Sequence, residues 1–280
     1  MPAPSQKTWL ITGVSSGFGK ALADALLAAG ERVVGTMRRP EAIEAFDRIK
    51  PGYSFARLLD VTDSLFVPAV VAEIEKNIGA IDVLVNNAGY GYEGVLEESP
   101  LDDVRQQFEV NVFGAVAMIQ AILPFMRKRR RGHILNITSM GGLTTFPGLG
   151  VYHGSKFALE GISEALGKEV KAFGIHVTAI EPGGFRTDWA GRSMVRAERA
   201  IADYDASFDA VRASRQARSG HQDGDPAKAA LAMMQVVASS KPPAHLLLGN
   251  DAVDHVTAKL DALRAEIHAW EPVSRGTDFT

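Results

Sequence analysis

Short apolar runs and amphipathic stretches take turns along this chain from Thr8 to about Gly249. The runs 9–12, 32–36, 53–59, 83–86, 133–138, 175–180 and 245–248 are brief, and several are β-branched and nearly all apolar. A strand wetted on one side alternates apolar with polar, so continuous runs of this kind predict parallel strands buried on both faces. Between them, residues 18–29, 65–77, 102–128, 152–172 and 227–238 repeat apolar positions at helical spacing. Ser99-Pro100 and Asp225-Pro226 mark two helix starts, where the N–H that proline lacks has no partner to lose. Strands alternating with helices predict an α/β fold: a doubly wound parallel sheet of about seven strands, flanked by helices, in one domain over residues 1–280.

Two stretches break the rhythm. Residues 184–224 hold helical patches and many arginines, with no strand expected there. Residues 250–270 read as a final helix with Val253, Val256, Leu260, Leu263 and Ile267 on one side, followed by a loosely ordered tail over 271–280.

Composition narrows the chemistry. The apolar (46%) and charged (22%) fractions are ordinary for a globular protein, and a net charge of −3 gives no reason to expect a nucleic-acid partner. The absence of cysteine removes disulfides, thiolate catalysis and Cys-based zinc sites. The seven histidines lack ligand spacing, so no metal site is expected. Residues 1–7 are polar and lack the apolar stretch of a secretion signal, and no run of 18 apolar residues appears. The expectation is a cytoplasmic protein without a membrane segment.

Two local patterns carry candidate chemistry. After the first strand comes Thr12-Gly13-Val14-Ser15-Ser16-Gly17-Phe18-Gly19. Glycines at a strand-to-helix turn let backbone approach a pyrophosphate, whose charge the helix N-terminus attracts. Further on, Tyr152 and Lys156 stand at i and i+4, so both leave one face of a helix. An ammonium roughly 4 Å from a phenol, at an effective dielectric near 20, would favour the phenolate by about 4 kcal/mol. Tyr152 is therefore expected to be a general acid–base with a lowered pKa. With five tyrosines in the chain, this pair alone proves little.

Together, the glycine turn, Asn86-Asn87-Ala88-Gly89, Ser139, Tyr152-x-x-x-Lys156 and Pro182-Gly183-x-x-x-Thr187 resemble the short-chain dehydrogenase/reductase family, in its single-domain Rossmann-type branch. The likeness covers roughly residues 8–250, and SMGGLTTFPGLGVYHGSKFALEGISEAL looks most like the 17β-hydroxysteroid and retinol dehydrogenases. The resemblance implies a catalytic tetrad of Asn111, Ser139, Tyr152 and Lys156. Tyr152 would exchange a proton with the substrate oxygen, Ser139 would hold that oxygen, and Lys156 would also reach the nicotinamide ribose. Asn111 would fix a water that links the lysine to solvent. Hydride would pass directly between nicotinamide and substrate carbon, with no metal. The cofactor would lie against Gly13, Ser15, Ser16, Gly17, Phe18, Gly19, Arg38, Asp60, Val61, Asn87, Ala88, Gly89, Tyr152, Lys156, Pro182, Gly183, Phe185 and Thr187.

Cofactor choice turns on the second strand's end, where an acid suits the ribose 2′-OH of NAD and an arginine the 2′-phosphate of NADP. The chain has Met37-Arg38 there, which favours NADP(H) with NAD(H) possible, although Ser16 stands where many NADP users carry a second basic residue. By resemblance Asp60 would meet the adenine amino group, with Val61 beside it; the rival reading is a helix-capping or turn aspartate. His153, next to Tyr152, points about 100° away on a helix and reads as structural. The run Arg127–Arg131 reads as a solvated helix end.

The segment 184–224 would be a substrate lid bearing Phe185, Trp189, Met194, Tyr204 and Phe208, with Met140, Leu143, Phe146, Leu149, Tyr90 and Tyr92 nearby. These surroundings suit an apolar ketone or secondary alcohol, while Arg186 and Arg192 could instead recruit an anionic group. Rival readings are a nucleotide-sensing binding protein on the same fold, or epimerisation or enoyl reduction. By resemblance, the chain would assemble as a dimer or tetramer through helices 102–128 and 152–172.

Overall fold

The computed structural model describes residues 6–279; most of the 1–7 stretch, and Thr280, lie outside the described residues. Seven strands form one parallel sheet: β1 (Thr8–Thr12), β2 (Arg32–Met37), β3 (Ser54–Leu58), β4 (Val83–Asn86), β6 (Gly132–Ile137), β7 (Ile175–Pro182) and β9 (His245–Leu248), in the order β3-β2-β1-β4-β6-β7-β9. Two three-residue strands, β5 (Gly91–Glu93) and β8 (Met194–Arg196), pair with each other outside it. The helices are α1 (Gly17–Ala28), α2 (Ile43–Asp47), α3 (Val67–Asn77), α4 (Leu101–Phe108), α5 (Gly114–Arg129), α6 (Gly150–Val170), α7 (Asp205–Ala217), α8 (Pro226–Ala238) and α9 (Asn250–Arg275).

Successive strand residues point to opposite faces, so each strand feeds two cores. Trp9, Ile11 and Val33 pack with Leu22 and Leu26 of α1 and Met233 of α8. Leu10, Val34 and Leu84 pack with Val67 and Ile74 of α3, Met118 and Ile122 of α5, and Leu166 of α6. The helix over Leu101–Arg129 is long and apolar enough, by length and composition, to span a bilayer, although polar residues interrupt it. Its buried side chains are spent on the second core, against the sheet and α3.

Three expectations need correction. Residues 184–224 do contain a strand, β8, because Met194–Arg196 add backbone pairing to Gly91–Glu93. The tail begins later than expected, since α9 runs on to Arg275. The basic run at the end of α5 is only partly solvated: Arg129 turns inward, bonding Glu75 at 2.9 Å and the Ile81 carbonyl. Arg130 closes that helix in the left-handed region, at φ 55°.

Candidate active site

A cleft of about 1250 Å³ opens beyond the C-terminal ends of β1, β2, β3, β4, β6 and β7, with residues 184–224 as its roof. Parallel sheets bind ligands at this edge, where strand order reverses between β1 and β4.

The floor starts at the glycine turn. Gly13 (φ 75°) and Gly17 (φ 58°) adopt left-handed backbone, which side-chain-bearing residues resist. A Cβ on Gly19 would stand 2.2 Å from the Gly13 carbonyl, so Gly19 lies under the turn and lets it fold tightly. The Asn87 amide donates to the carbonyls of Thr12 (2.9 Å) and Gly13 (2.8 Å), while Thr12 Oγ1 accepts from the N–H groups of Asn87 (3.0 Å) and Ala88 (2.9 Å). Two loops from neighbouring strands are thereby laced together across the reversal point, and α1 points its N-terminus into the cleft.

Ser15, Ser16, Phe18, Arg38, Asp60, Val61, Gly89, Pro182, Gly183, Phe185 and Thr187 all line the same cleft. Arg38 is exposed there and has no side-chain partner among the described residues. Asp60 Oδ1 also accepts from Thr62 N and Oγ1 (3.0 and 2.8 Å), so the turn reading of this residue holds in the same place. Phe185 stacks edge-on against Phe18 at 5.1 Å, and Thr187 faces Gly17 from the roof.

Deeper in, α6 presents Tyr152 and Lys156 on one face, both buried. The expected lowering of the phenol pKa does not occur: burial pushes Tyr152 up to about 12, against hydrogen bonds from Ser139 and Trp189. Lys156 Nζ lies 5.8 Å from the phenol ring centre and donates to the Ile137 carbonyl at 2.8 Å. The same burial pushes Lys156 down to about 8, partly offset by the nearby Glu160 carboxylate. An ammonium–phenol pair in isolation lacks this shared desolvation, which weighs more here than the cation. Ser139 lies two residues beyond β6 and accepts from Gly141 N at 2.9 Å, an arrangement that fixes its hydroxyl toward the cleft.

Asn111 is buried and does not line the cleft. The chain widens into a π-turn at Glu109–Phe113, a device frequent at functional sites. Through it Asn111 accepts from Tyr90 N (3.1 Å) and donates to Tyr90 O (3.1 Å) and Ser155 Oγ (3.2 Å). Its amide thus ties the long helix to the loop after β4 and to α6. His153 is also structural: Nδ1 meets Gly141 O at 2.7 Å and Nε2 accepts from Phe146 N at 2.9 Å, pinning the loop before α6.

The lid residues divide. Phe185, Trp189, Met140, Phe146, Leu149 and Tyr90 line the cleft. Met194, Tyr204, Phe208, Leu143 and Tyr92 do not; Met194 packs on Gly91, Tyr204 donates to Glu97 at 2.7 Å, and Phe208 sits on Gly148. Arg186 donates to Gln222 O, and Arg192, which lines the cleft, pairs with Asp188 in an exposed ion pair.

Trp189, a lid residue expected from the sequence, lies with its ring centre 5.2 Å from that of Tyr152. Four acids were not legible as part of the site. Asp251, in the first turn of α9, accepts from Gly184 N at 2.7 Å and fills the space a Cβ on Gly183 would need. Glu93, fully buried, accepts from Arg196 (2.8 Å) and from Arg215, clamping the roof to the body. Glu160 and Glu181, both buried, meet His245 at 3.5 and 2.7 Å. The signal of Asp251 is positional only. The three glutamates are visible as oddities among apolar neighbours but not as partners.

Comparison with known proteins agrees with this geometry. Residues 7–197 match the family model for short chain dehydrogenases. Oxidoreductase BOA17 of Botryotinia fuckeliana is 38% identical over 96% of this chain and 98% of its own. The 3-ketodihydrosphingosine reductase of Bacteroides thetaiotaomicron is 40% identical over 86% of this chain and 87% of its own. Among solved structures, a short-chain dehydrogenase from Streptomyces avermitilis aligns with TM-score 0.91 and 43% identity, covering 99% of this chain and 100% of that one. ElxO with NADP bound (TM-score 0.71, 27% identity, 86% and 96% covered) and a Burkholderia phymatum protein in complex with NAD (0.81, 25%, 93% and 95%) share the fold with their cofactors in place.

Proposed function

Because this chain belongs to the short-chain dehydrogenase/reductase family, a family of oxidoreductases, we propose that it is an NADP(H)-dependent reductase of apolar ketones, able to oxidise the matching secondary alcohols. The observation that carries this reading is a buried phenol, kept protonated by that burial, that lines one cleft with Ser139 and stands beside Lys156.

The residues fit a dinucleotide. The turn held open by Gly13 and Gly17 and tightened by Gly19 leaves backbone N–H groups and a helix N-terminus free for a pyrophosphate. Ser15, Ser16 and Phe18 would flank it, Asp60 and Val61 the adenine, Asn87–Gly89 and Lys156 the ribose, and Pro182, Gly183, Phe185 and Thr187 the nicotinamide. The free guanidinium of Arg38, beyond Met37, supports a 2′-phosphate, and the NADP and NAD found in family neighbours support either dinucleotide. When bound, the nicotinamide supplies a hydride to a carbonyl or takes one from an alcohol.

The chain's own residues handle the oxygen. Ser139 donates a hydrogen bond that stabilises charge developing there. Tyr152, protonated at neutral pH, delivers the proton that turns that oxygen into a hydroxyl. Lys156 brings positive charge to the phenolate this leaves, and Asn111 positions the loop and α6 around it. Trp189, Phe146, Leu149 and Met140 supply the apolar walls that suit a ketone with a hydrocarbon body. The 3-keto substrate in the name of the Bacteroides relative supports that class. Exposed Phe113 and Phe157, on the two long helices, support assembly through that face.

Tyr152→Phe tests the assignment. Carbonyl reduction should fall by at least about 10²-fold. NADPH affinity, read by nicotinamide fluorescence, should stay within twofold. Retained turnover removes Tyr152 from the proton path.

A further inference from the structure

Helix α9 leaves the body almost at once. Ala252 and Val256 are buried, and His255 rests edge-on against Phe146 at 5.3 Å, but every residue from Thr257 to Trp270 is exposed. About five turns, roughly 28 Å, therefore project without tertiary support. A lone helix of that length is marginal in water, because its stability in proteins comes from burying an apolar face.

The projecting part has such a face. Val253, Val256, Leu260, Leu263, Ile267 and Trp270 follow one another at spacings of three and four, the a and d positions of a heptad repeat. The four outer ones are 40–62% exposed. The spacing is that of a two-helix seam, narrower than the stripe of a helix lying on a sheet.

We propose that a second copy of this chain covers the stripe, with the two α9 helices packed antiparallel. The flanking charges select the orientation. Lys259 and Glu266 occupy g positions, and Arg264 and Glu271 occupy e positions. In a parallel pair, g faces e five residues on, which sets Lys259 against Arg264 of the partner subunit and Glu266 against Glu271 of the partner subunit. Both contacts are repulsive. Antiparallel packing faces g with g. Centred between Leu260 and Leu263, it sets Lys259 against Glu266 of the partner subunit, twice by symmetry. The same register stacks Leu260 on the partner's Leu263 and brings Trp270 over the partner's Val253, which is exposed, while Val256 stays buried against its own subunit. Each helix tip then lies at the other subunit's α9 base, two residues from His255, which lines the cleft.

Because the chain has no cysteine, introduced ones report alone. Leu260→Cys and Leu263→Cys chains, mixed and gently oxidised, should form a 260–263 mixed disulfide, with little homodimeric disulfide from either variant by itself. Homodimeric disulfides at both positions would mean parallel packing and overturn the orientation. No cross-link in any mixture would overturn the pairing. Sedimentation of the full chain carrying Leu263→Glu and Ile267→Glu should show half the wild-type mass with an unchanged far-UV spectrum of the body. An unchanged mass overturns the proposal, as does a monomeric wild type whose α9 instead binds zwitterionic or anionic phospholipid vesicles.

Discussion

Beneath the cleft the chain meets itself through apolar side chains from seven strands and through close backbone contacts at Gly13 and Gly19. Above it, residues 184–224 meet the body largely through arginines that end on acids. Arg196 and Arg215 converge on Glu93, and Arg199 joins Glu98, Asp205 and Asp209. The roof's helix α7 buries only Phe208. Apolar burial is non-directional and tolerates small shifts, whereas an arginine held by a buried carboxylate is fixed in place or not at all. A floor of the first kind gives a stable platform. A roof of the second kind can change with a few side chains while the platform stays.

The sharpest way to break the contrast is Glu93→Ala. Removing one partner of a buried pair leaves Arg196 and Arg215 uncompensated, at a cost of about 3 kcal/mol. Proteolysis should then cut within 184–224 before the rest of the chain, and KM for the ketone should rise more than kcat falls. A protected roof with an unchanged Tm would mean that apolar contacts such as Phe208 on Gly148 hold it. Next in size, Arg38→Asp should move the NADPH-to-NADH ratio of kcat/KM at least tenfold toward NADH, without changing Tm. A fixed ratio would relieve Arg38 of the phosphate role.

Gly19→Ala probes the floor itself. With a methyl 2.2 Å from the Gly13 carbonyl, the turn must open, and NADPH affinity should drop several-fold while the roof keeps its protection from proteolysis. Unaltered affinity would show that the turn can relax without loss.

The smallest effect is a pH trend. Burial pushes Glu160 and Glu181 up to about 7, so the folded chain holds protons that the unfolded chain has released by pH 5. A raised carboxyl pKa means that stability declines as pH climbs from about 4.5 through 7. His133, pushed down to about 4 by burial, works in the opposite sense below pH 6.5. Glu160→Gln should therefore raise Tm over wild type by a degree or two at pH 8 and by less at pH 5.5. A gap that does not change with pH would assign the pair no proton in this window.

The floor was readable in the sequence for the same reason that it is sturdy. Its strands are uninterrupted apolar runs and its helices carry apolar stripes, so local pattern and tertiary burial agree. The glycine turn and the pairing of Tyr152 with Lys156 sit at ends of such elements, where spacing alone brings them together. The roof offers no such agreement. β8 is three residues long and pairs with Gly91–Glu93, about a hundred positions earlier, and the arginines that hold it look like any solvated charges until their acids are located. The direction of the Tyr152 shift escaped for a related reason: charge spacing is written in the sequence, but depth of burial is not. Asn111 is named in the sequence only through the family motif, and its partners Tyr90 and Ser155 emerge once the π-turn is seen.

Asp251 joins two parts of the molecule that otherwise hardly touch. One carboxylate grips the Gly184 peptide and crowds Gly183, and the same residue opens the first turn of α9. The base of the projecting helix and the peptide planes at the edge of the cleft therefore share one anchor, and replacing Asp251 would loosen both at once.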